Sequence, residues 1–290
     1  MKYVYYPAIF KSADQASNDT QKYYLNSIRA YSVTLIAGVG LGVHGIRSKE
    51  SAIIAALLFL AGIFITIFLR SKKFEDYWYK CRSIAESVKT STWRFMMRAN
   101  PYEDAEKVEI VRKEFLQLIR NILKEHKNLS EHLTKNYGDD EQITEGMNEI
   151  RKMDLDDRIS FYRDYRIDEQ RTWYTKKASD NKKFGFRWFI TLVVLHCLAI
   201  LFVLFRIAYP EWSYWPTEIF TVAGSSVLTW IQVKRYSELS AAYSLAAHEI
   251  SAIRGELEYV TTEERFSQFV MNAENAFSRE HTQWIARKDI

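Results

Sequence analysis

Residues that interrupt helices or form cross-links are scarce in this chain. Its 290 residues include 4 prolines, 10 glycines and 2 cysteines. Few prolines and glycines leave long helices uninterrupted, and Cys81 and Cys197 do not suggest a disulfide framework. Met1–Lys22 is polar and lacks an apolar segment, so no signal peptide is expected there. These shortages argue against a disulfide-stabilised secreted domain and favour an all-α fold.

Catalytic motifs are also missing. The sequence contains no Walker loop, H-E-x-x-H, C-x-x-C or G-x-S-x-G. A literal G-x-G-x-x-G spans Gly40–Gly45, but the region about 20 residues onward, Leu60–Ile67, is apolar and offers no carboxylate for a ribose. We therefore predict no catalytic residue, no metal ligand and no cofactor. A hydrolase whose site forms only in the folded chain is kept as a rival interpretation.

Four long apolar segments are present instead, arranged as two pairs. They span residues 30–46, 51–69, 188–205 and 217–233. About 17–25 apolar residues cross a bilayer core, and three segments meet that length. The apolar part of the fourth, Ile219–Val233, is short, but Trp212, Tyr214 and Trp215 precede it and suit a headgroup interface. The pattern predicts four transmembrane helices in two hairpins, with long amphipathic helices in the cytosol.

Lysine and arginine residues near the segment ends predict the orientation. They cluster before the first and third segments and after the second and fourth, at Lys11, Lys22, Arg29, Arg70–Lys73, Lys176–Arg187 and Lys234-Arg235. The second hairpin loop, Tyr209–Pro216, has none, and the first loop is very short. Because cytoplasmic flanks carry the excess of basic residues, both termini are expected in the cytoplasm, with the chain passing repeatedly through the membrane.

The chain is organised as a duplicated unit. We predict a first unit over residues 1–137 and a second over 138–290, meeting near the turn Tyr137–Asp140. Between the hairpins lies an apolar seam with a spacing of three and four residues: Val108, Val111, Phe115, Leu118, Ile122 and Leu129. Such a seam is typical of a packed helix or coiled coil. Its length led us to expect that the cytosolic helices form a multi-subunit assembly.

Loose motifs in both halves resemble the SLATT domain, a bacterial two-transmembrane module. In the second half they lie in Arg158–Ala178, at Tyr243 and Glu249, and in Glu274–Trp284. The first half, with Ala16–Tyr24 and Trp78–Phe95, is similar to a second SLATT subtype that often accompanies the first. The resemblance implies a membrane effector of bacterial conflict systems that perforates or depolarises the inner membrane. It also implies separately encoded partners, namely nucleotide-signal enzymes, nucleotide sensors, reverse transcriptases or proteases.

The fourth apolar segment carries one polar stripe. At ~100° per residue its polar residues fall within about 80° of the helix circumference; they are Glu218, Thr221, Ser225, Thr229 and Gln232. Polar groups in hydrocarbon need partners or water, so the stripe predicts a pore lining completed by further subunits. The alternative is that the hydroxyls bond to their own helix or pack against the third segment, with Glu218 favouring the helix N-terminus.

Three further groups of residues are candidates. His196 is titratable and lies at the centre of the third segment, level with Ser225 and Ser226, where a neutral, hydrogen-bonded histidine is the alternative. A small-residue ridge in the first segment predicts close helix packing through Thr34, Gly38, Gly42 and Gly45. A juxtamembrane cluster is a candidate contact for an anionic ligand or headgroup, or else a solvated face: Arg166, Gln170, Trp173, Tyr174 and Lys177.

Together these patterns predict an all-α membrane protein that self-associates in the lipid bilayer and forms a gated pore. The depolarising role comes from the family resemblance, whereas the membrane topology comes from the residues themselves. The alternative is a non-conducting helical scaffold, or a sensor subunit that accompanies a separate enzyme. Neither interpretation requires direct binding of nucleic acid.

Overall fold

The chain folds into helices, as the scarcity of proline and glycine predicts. The computed structural model describes residues 5–44, 48–103, 107–126, 129, 133 and 140–286, and no strand occurs within these ranges. In chain order the α-helices are α1 Ala8–His44, α2 Lys49–Lys72, α3 Phe74–Met96, α4 Val108–Glu125, α5 Glu145–Lys152, α6 Leu155–Tyr162, α7 Glu169–Ala208, α8 Thr217–Lys234, α9 Tyr236–Glu256 and α10 Glu263–Ala286. A π-helical turn, Arg163–Asp168, joins α6 to α7.

Polar side chains begin several of these helices. The Ser48 hydroxyl accepts a hydrogen bond from the backbone N–H of Ser51 at the start of α2. Thr144 and Asp154 cap α5 and α6 in the same way. Each cap satisfies one of the backbone donors that the first helical turn leaves unpaired. The starts of these helices are therefore fixed locally by the sequence.

The helices divide into two compact units. One, which we call the polar unit, consists of Met1–Gln21, Glu75–Thr175 and Leu245–Ile290. The other, the apolar unit, consists of Lys22–Phe74 and Lys176–Ser244. Both units are discontinuous in sequence, because α1, α7 and α9 each supply residues to both. The predicted boundary between residues 137 and 138 stays a prediction, since residues 134–139 lie outside the described part of the chain.

Aromatic side chains form much of the core of the polar unit. Trp93 is fully buried, and its indole N–H donates to the Tyr6 hydroxyl at 3.1 Å. The Phe95 and Phe115 rings lie 5.0 Å apart, and Tyr162 meets Phe266 edge-on. Such contacts add to the stability gained from apolar burial. This core therefore links α3, α4, α6 and α10.

The predicted apolar seam belongs to this core. Val111, Phe115, Ile122 and Leu129 are buried within the chain itself, whereas Val108 is about half exposed. Burial inside one chain accounts for most of the seam. The seam therefore gives no reason to expect a second subunit, and the expectation of self-association must rest on other features.

The surface of the apolar unit is covered by large apolar side chains. Two helical stretches, Lys49–Met96 and Leu155–Ala208, each contain an 18-residue window apolar enough to cross a membrane. Only 11% and 0% of these windows are buried. The core helix of a water-soluble domain would be mostly buried, whereas lipid-facing side chains remain exposed within the protein. The two stretches are therefore candidate membrane spans.

The two hairpins end in the same way. Lys73 after α2 and Arg235 after α8 adopt left-handed backbone conformations, with φ of 46° and 48°. Their backbone N–H groups donate to Leu69 and Ile231, four residues back, as in an αL cap. An aromatic residue that starts the next helix follows each of them. This shared ending supports the duplication inferred from the sequence.

Candidate functional site

The polar stripe of α8 lies on its exposed face. Its five members are all exposed: Glu218, Thr221, Ser225, Thr229 and Gln232. The hydroxyls of Thr221, Ser225 and Thr229 donate to the carbonyl four residues earlier, at 2.9, 3.1 and 3.0 Å. The 3.6-residue period thus places the stripe as the sequence predicts. These hydroxyls bond to their own helix and still face outward.

The opposite side of α8 packs against α7. A Cβ added at the buried Gly224 would lie only 3.0 Å from Cε1 of His196. The Phe220 ring stacks on Phe202 with centroids 5.3 Å apart and planes within 8°. Because α8 packs on α7 through this face, Thr221, Ser225 and Thr229 lie outside these packing contacts.

A charge pair lies at the first turn of α8. The Glu218 carboxylate lies 3.9 Å from the Arg206 guanidinium, and both side chains are more than half exposed. An exposed pair at this distance contributes little to stability. Glu218 is therefore held only weakly where the stripe begins.

His196 has a hydrogen-bond partner within its own helix. Its Nδ1 lies 2.9 Å from the Leu192 carbonyl oxygen, and the ring rests against the Gly224 backbone. The partner is thus on α7 and not across the hairpin. Its ring fills the space that Gly224 leaves open, and a titratable role stays a prediction.

The small-residue ridge of α1 is divided. A Cβ added at Gly38 would lie 2.9 Å from the Phe59 ring of α2, and Thr34 lies beside Gly62 of α2. An added Cβ at Gly42 would meet nothing within 4 Å. Gly45 lies outside the described residues. Close packing of α1 on α2 therefore runs through Thr34 and Gly38.

The juxtamembrane cluster is also divided. Arg166 and Tyr174 are buried in the polar unit, where Gln170 is half-buried and Trp173 is exposed. Lys177 is exposed and belongs to the apolar unit. The Arg166 guanidinium, with 2% of its side chain exposed, is thus not presented to a lipid headgroup.

Arg166 forms a buried ion pair instead. Its Nε and Nη2 donate to the two carboxylate oxygens of Glu274 at 2.8 and 2.7 Å, and the Tyr162 hydroxyl donates to the same carboxylate at 2.9 Å. Phe277 and Trp93 lie against the guanidinium, with ring centroids 4.7 and 5.8 Å from Cζ. Bidentate geometry with extra hydrogen bonds is what a buried pair requires.

Burial and charge perturb the groups around this pair. Burial, followed by the negative charge of Glu274, raises the pKa of Tyr162 well above its ordinary value, so the hydroxyl stays protonated and donates. Burial opposes the charge on Arg166, but attraction and hydrogen bonding by Glu274 outweigh it and raise the pKa of Arg166. Arg166 therefore stays positively charged.

Two more buried arginines hold the surrounding loops. Arg151 donates to the carbonyl oxygens of Phe95 and Tyr102, and Arg158 donates to that of Met97 and pairs with Glu263. In the sequence, Arg158 and Glu274 stand out only as members of the SLATT-like motifs, and the sequence predicts no partner for either residue. Their partners lie far along the chain, so no local pattern could identify them.

Two observations on the described residues bear on possible catalysis. These residues contain no group of three or more His, Cys, Asp or Glu side chains suited to a metal ion. Burial raises the pKa of the Cys81 thiol to about 11, which leaves it protonated and a poor nucleophile at neutral pH. Cys81 is thus a packing residue of α3.

Comparison with known families gives two adjacent matches. The family model described as "SMODS and SLOG-associating 2TM effector domain 3" matches residues 7–159, and the one described as "SMODS and SLOG-associating 2TM effector domain 1" matches residues 162–284. No curated protein and no solved structure matches the chain. The two matches include both hairpins and the buried pair Arg166–Glu274.

Proposed function

Because the chain belongs to the SLATT family and carries two of its domains in tandem, we propose that it is a membrane effector of a bacterial conflict system. In this proposal it self-associates in the inner membrane and forms a gated pore. The α8 helices of several subunits line the pore with their polar stripes. Opening the pore depolarises the membrane.

One observation carries the proposal: a polar stripe on the exposed face of an apolar helix. Five polar residues of α8 face outward, while its Gly224 side packs on α7. Exposed polar groups at bilayer depth are tolerated where they line a water-filled cavity. One hairpin encloses no such cavity, whereas copies around an axis do. The stripe therefore supports self-association better than the α4 seam does.

A second candidate function follows from the hydroxyl bonds. Thr221, Ser225 and Thr229 donate to carbonyls of their own helix, so much of the stripe would be tolerated facing lipid or another helix. The protein would then be a non-conducting scaffold or a sensor subunit. The two functions differ in whether the stripe contacts water.

The proposal includes four membrane crossings. Segments within α2 and α7 are long and apolar enough by themselves, and we place the other two crossings in α1 and α8. Both hairpins end at basic residues, Lys73 and Arg235, which favours cytoplasmic ends for α2 and α8. Both termini are then cytoplasmic, within reach of a separately encoded nucleotide-signal enzyme, reverse transcriptase or sensor protein.

The test is to block the stripe without disturbing the hairpin. Ser225→Leu and Thr229→Leu add apolar bulk to the exposed face, which narrows and dewets a conduit. We expect each to suppress depolarisation, read with a potential-sensitive dye in cells that express the activated effector. The matched control is Ser226→Leu, the same change beside the stripe, and it should leave depolarisation near the wild-type level.

Abundance in the membrane fraction must be equal for all variants. Glu218→Gln should leave assembly intact but reduce any preference for cations, because a ring of carboxylates near a pore mouth concentrates them. If Ser225→Leu and Thr229→Leu both depolarise the membrane as strongly as the wild type, the stripe does not line the pore. Absence of depolarisation in the wild type would favour the scaffold.

A further inference from the structure

Cationic side chains meet at one tryptophan in the apolar unit. The Arg29 guanidinium of α1 lies over the Trp230 ring of α8, with Cζ 4.8 Å from the centroid. The Lys234 ammonium lies 5.9 Å from the same ring and 5.9 Å from the ring of Tyr236. The described helices α1, α8 and α9 thus bring two cations and two aromatic rings together.

Positive charges lie close to one another at this point. Repulsion from Arg29 and from Lys177 acts on the Lys234 ammonium. Aromatic faces attract cations, which accounts for Arg29 and Lys234 lying over rings. Aromatic rings do not neutralise charge, so the positive charges of Arg29 and Lys234 lie together where the chain leaves α8.

An unsatisfied donor lies among these cations. The indole Nε1 of Trp230 is buried and has no hydrogen-bond partner among the described residues. A buried N–H without a partner costs about 1–3 kcal/mol, so such groups are normally paired. An anion that accepts this hydrogen bond would also neutralise the cations around it.

We propose that Arg29, Trp230 and Lys234 form a binding site for a phosphate group. Guanidinium, ammonium and indole groups are all donors, and a phosphate offers several acceptor oxygens. The phosphate is carried by an anionic lipid headgroup or by a soluble phosphate compound. Both sources share the same chemistry, and the experiment separates them.

The test measures binding of phosphatidylglycerol to the purified full chain by native mass spectrometry. Each Lys or Arg near a membrane surface contributes about 1 kcal/mol to attraction of anionic lipid. The double variant Arg29→Gln/Lys234→Gln should therefore bind phosphatidylglycerol more weakly than the wild type. If these residues form a binding site, its loss of affinity should be roughly ten times the loss that removal of two surface charges causes. The matched control is Lys182→Gln/Lys183→Gln, which removes two exposed cations of the same apolar unit.

A third variant guards against loss of folding. Trp230→Phe keeps a ring beneath Arg29 and removes only the N–H, so we expect a several-fold loss of affinity with unchanged melting temperature. Inorganic phosphate serves as competitor. If phosphate displaces the lipid, the site also binds soluble phosphate compounds. If the lipid stays bound, the site is specific for the lipid headgroup.

Three results would overturn the proposal. The first is wild-type affinity for phosphatidylglycerol in the Arg29→Gln/Lys234→Gln variant. The second is an equal loss of that affinity in the Lys182→Gln/Lys183→Gln control. The third is equal binding of phosphatidylcholine and phosphatidylglycerol, with no displacement of either lipid by inorganic phosphate. None of these results bears on the pore, because the site is separate from the stripe residues whose variants test conduction.

Discussion

Removing one partner of the buried ion pair should destabilise the polar unit severely. In Glu274→Gln the carboxylate that neutralises Arg166 becomes a neutral amide of almost the same shape. The side chains of Arg166 and Glu274 are only 2% and 0% exposed, so water cannot replace the lost charge. Breaking a buried pair in this way costs about 3–5 kcal/mol. The Tyr162 hydroxyl keeps an acceptor, so its hydrogen bond adds little to that figure.

The assay is thermal unfolding of the purified protein in detergent, followed by tryptophan fluorescence. For a domain of roughly 150–250 residues, 1 kcal/mol shifts the melting temperature by about 2–4 °C. We therefore expect Glu274→Gln to melt about 6–20 °C lower than the wild type. The matched control is Asp164→Asn, which removes the exposed pair between Arg163 and Asp164. Exposed pairs contribute about 0–1 kcal/mol, so its melting temperature should hardly change.

A double variant separates loss of charge from loss of packing. Arg166→Met/Glu274→Met removes both charges and keeps apolar volume, and such replacements are often neutral or stabilising. It should therefore melt well above Glu274→Gln. If Glu274→Gln melts within about 2 °C of Asp164→Asn, Arg166 and Glu274 do not form the stabilising buried ion pair described above.

Two further predictions concern the apolar unit. Gly224→Leu should destabilise the hairpin of α7 and α8 by about 1–3 kcal/mol through overpacking, because even a Cβ would lie 3.0 Å from the His196 ring. Adding His196→Ala should restore part of the lost melting temperature. An unchanged melting temperature in Gly224→Leu would contradict the contact between Gly224 and His196. In a cysteine-free background, a cysteine at Ser213 should react with an impermeant thiol reagent in intact cells, whereas one at Ser71 should react only after lysis. Labelling at Ser71 without lysis would reverse the orientation.

Local periodicity made much of this molecule predictable. Residues three and four apart share a helix face, so the grouping of the polar residues from Glu218 to Gln232 into one stripe follows from sequence spacing. Spacing left open whether that stripe packs against the third segment or faces outward. The length of the apolar segments and the scarcity of proline and glycine likewise made the helices of the hairpins predictable. Such features are determined by residues that are close together in the sequence.

Long-range partners were not predictable in the same way. Arg166 and Glu274 are 108 residues apart, and their pairing depends on how α10 packs on the π-helical turn. The seam of α4 has the spacing of an oligomer interface, yet Phe115 lies inside the chain's own core. Periodicity identifies which face of a helix is apolar, but it does not identify what covers that face.

The hydroxyl bonds of α8 also bear on which ions the proposed pore would favour. Each Ser or Thr hydroxyl has one proton, and in Thr221, Ser225 and Thr229 that proton is directed to a carbonyl of the same helix. What faces outward is then oxygen lone pairs, the same kind of ligand that backbone carbonyls offer in cation-selective filters. A conduit built from this face would replace part of the hydration shell of a cation, and the three hydroxyls would give an anion no donor.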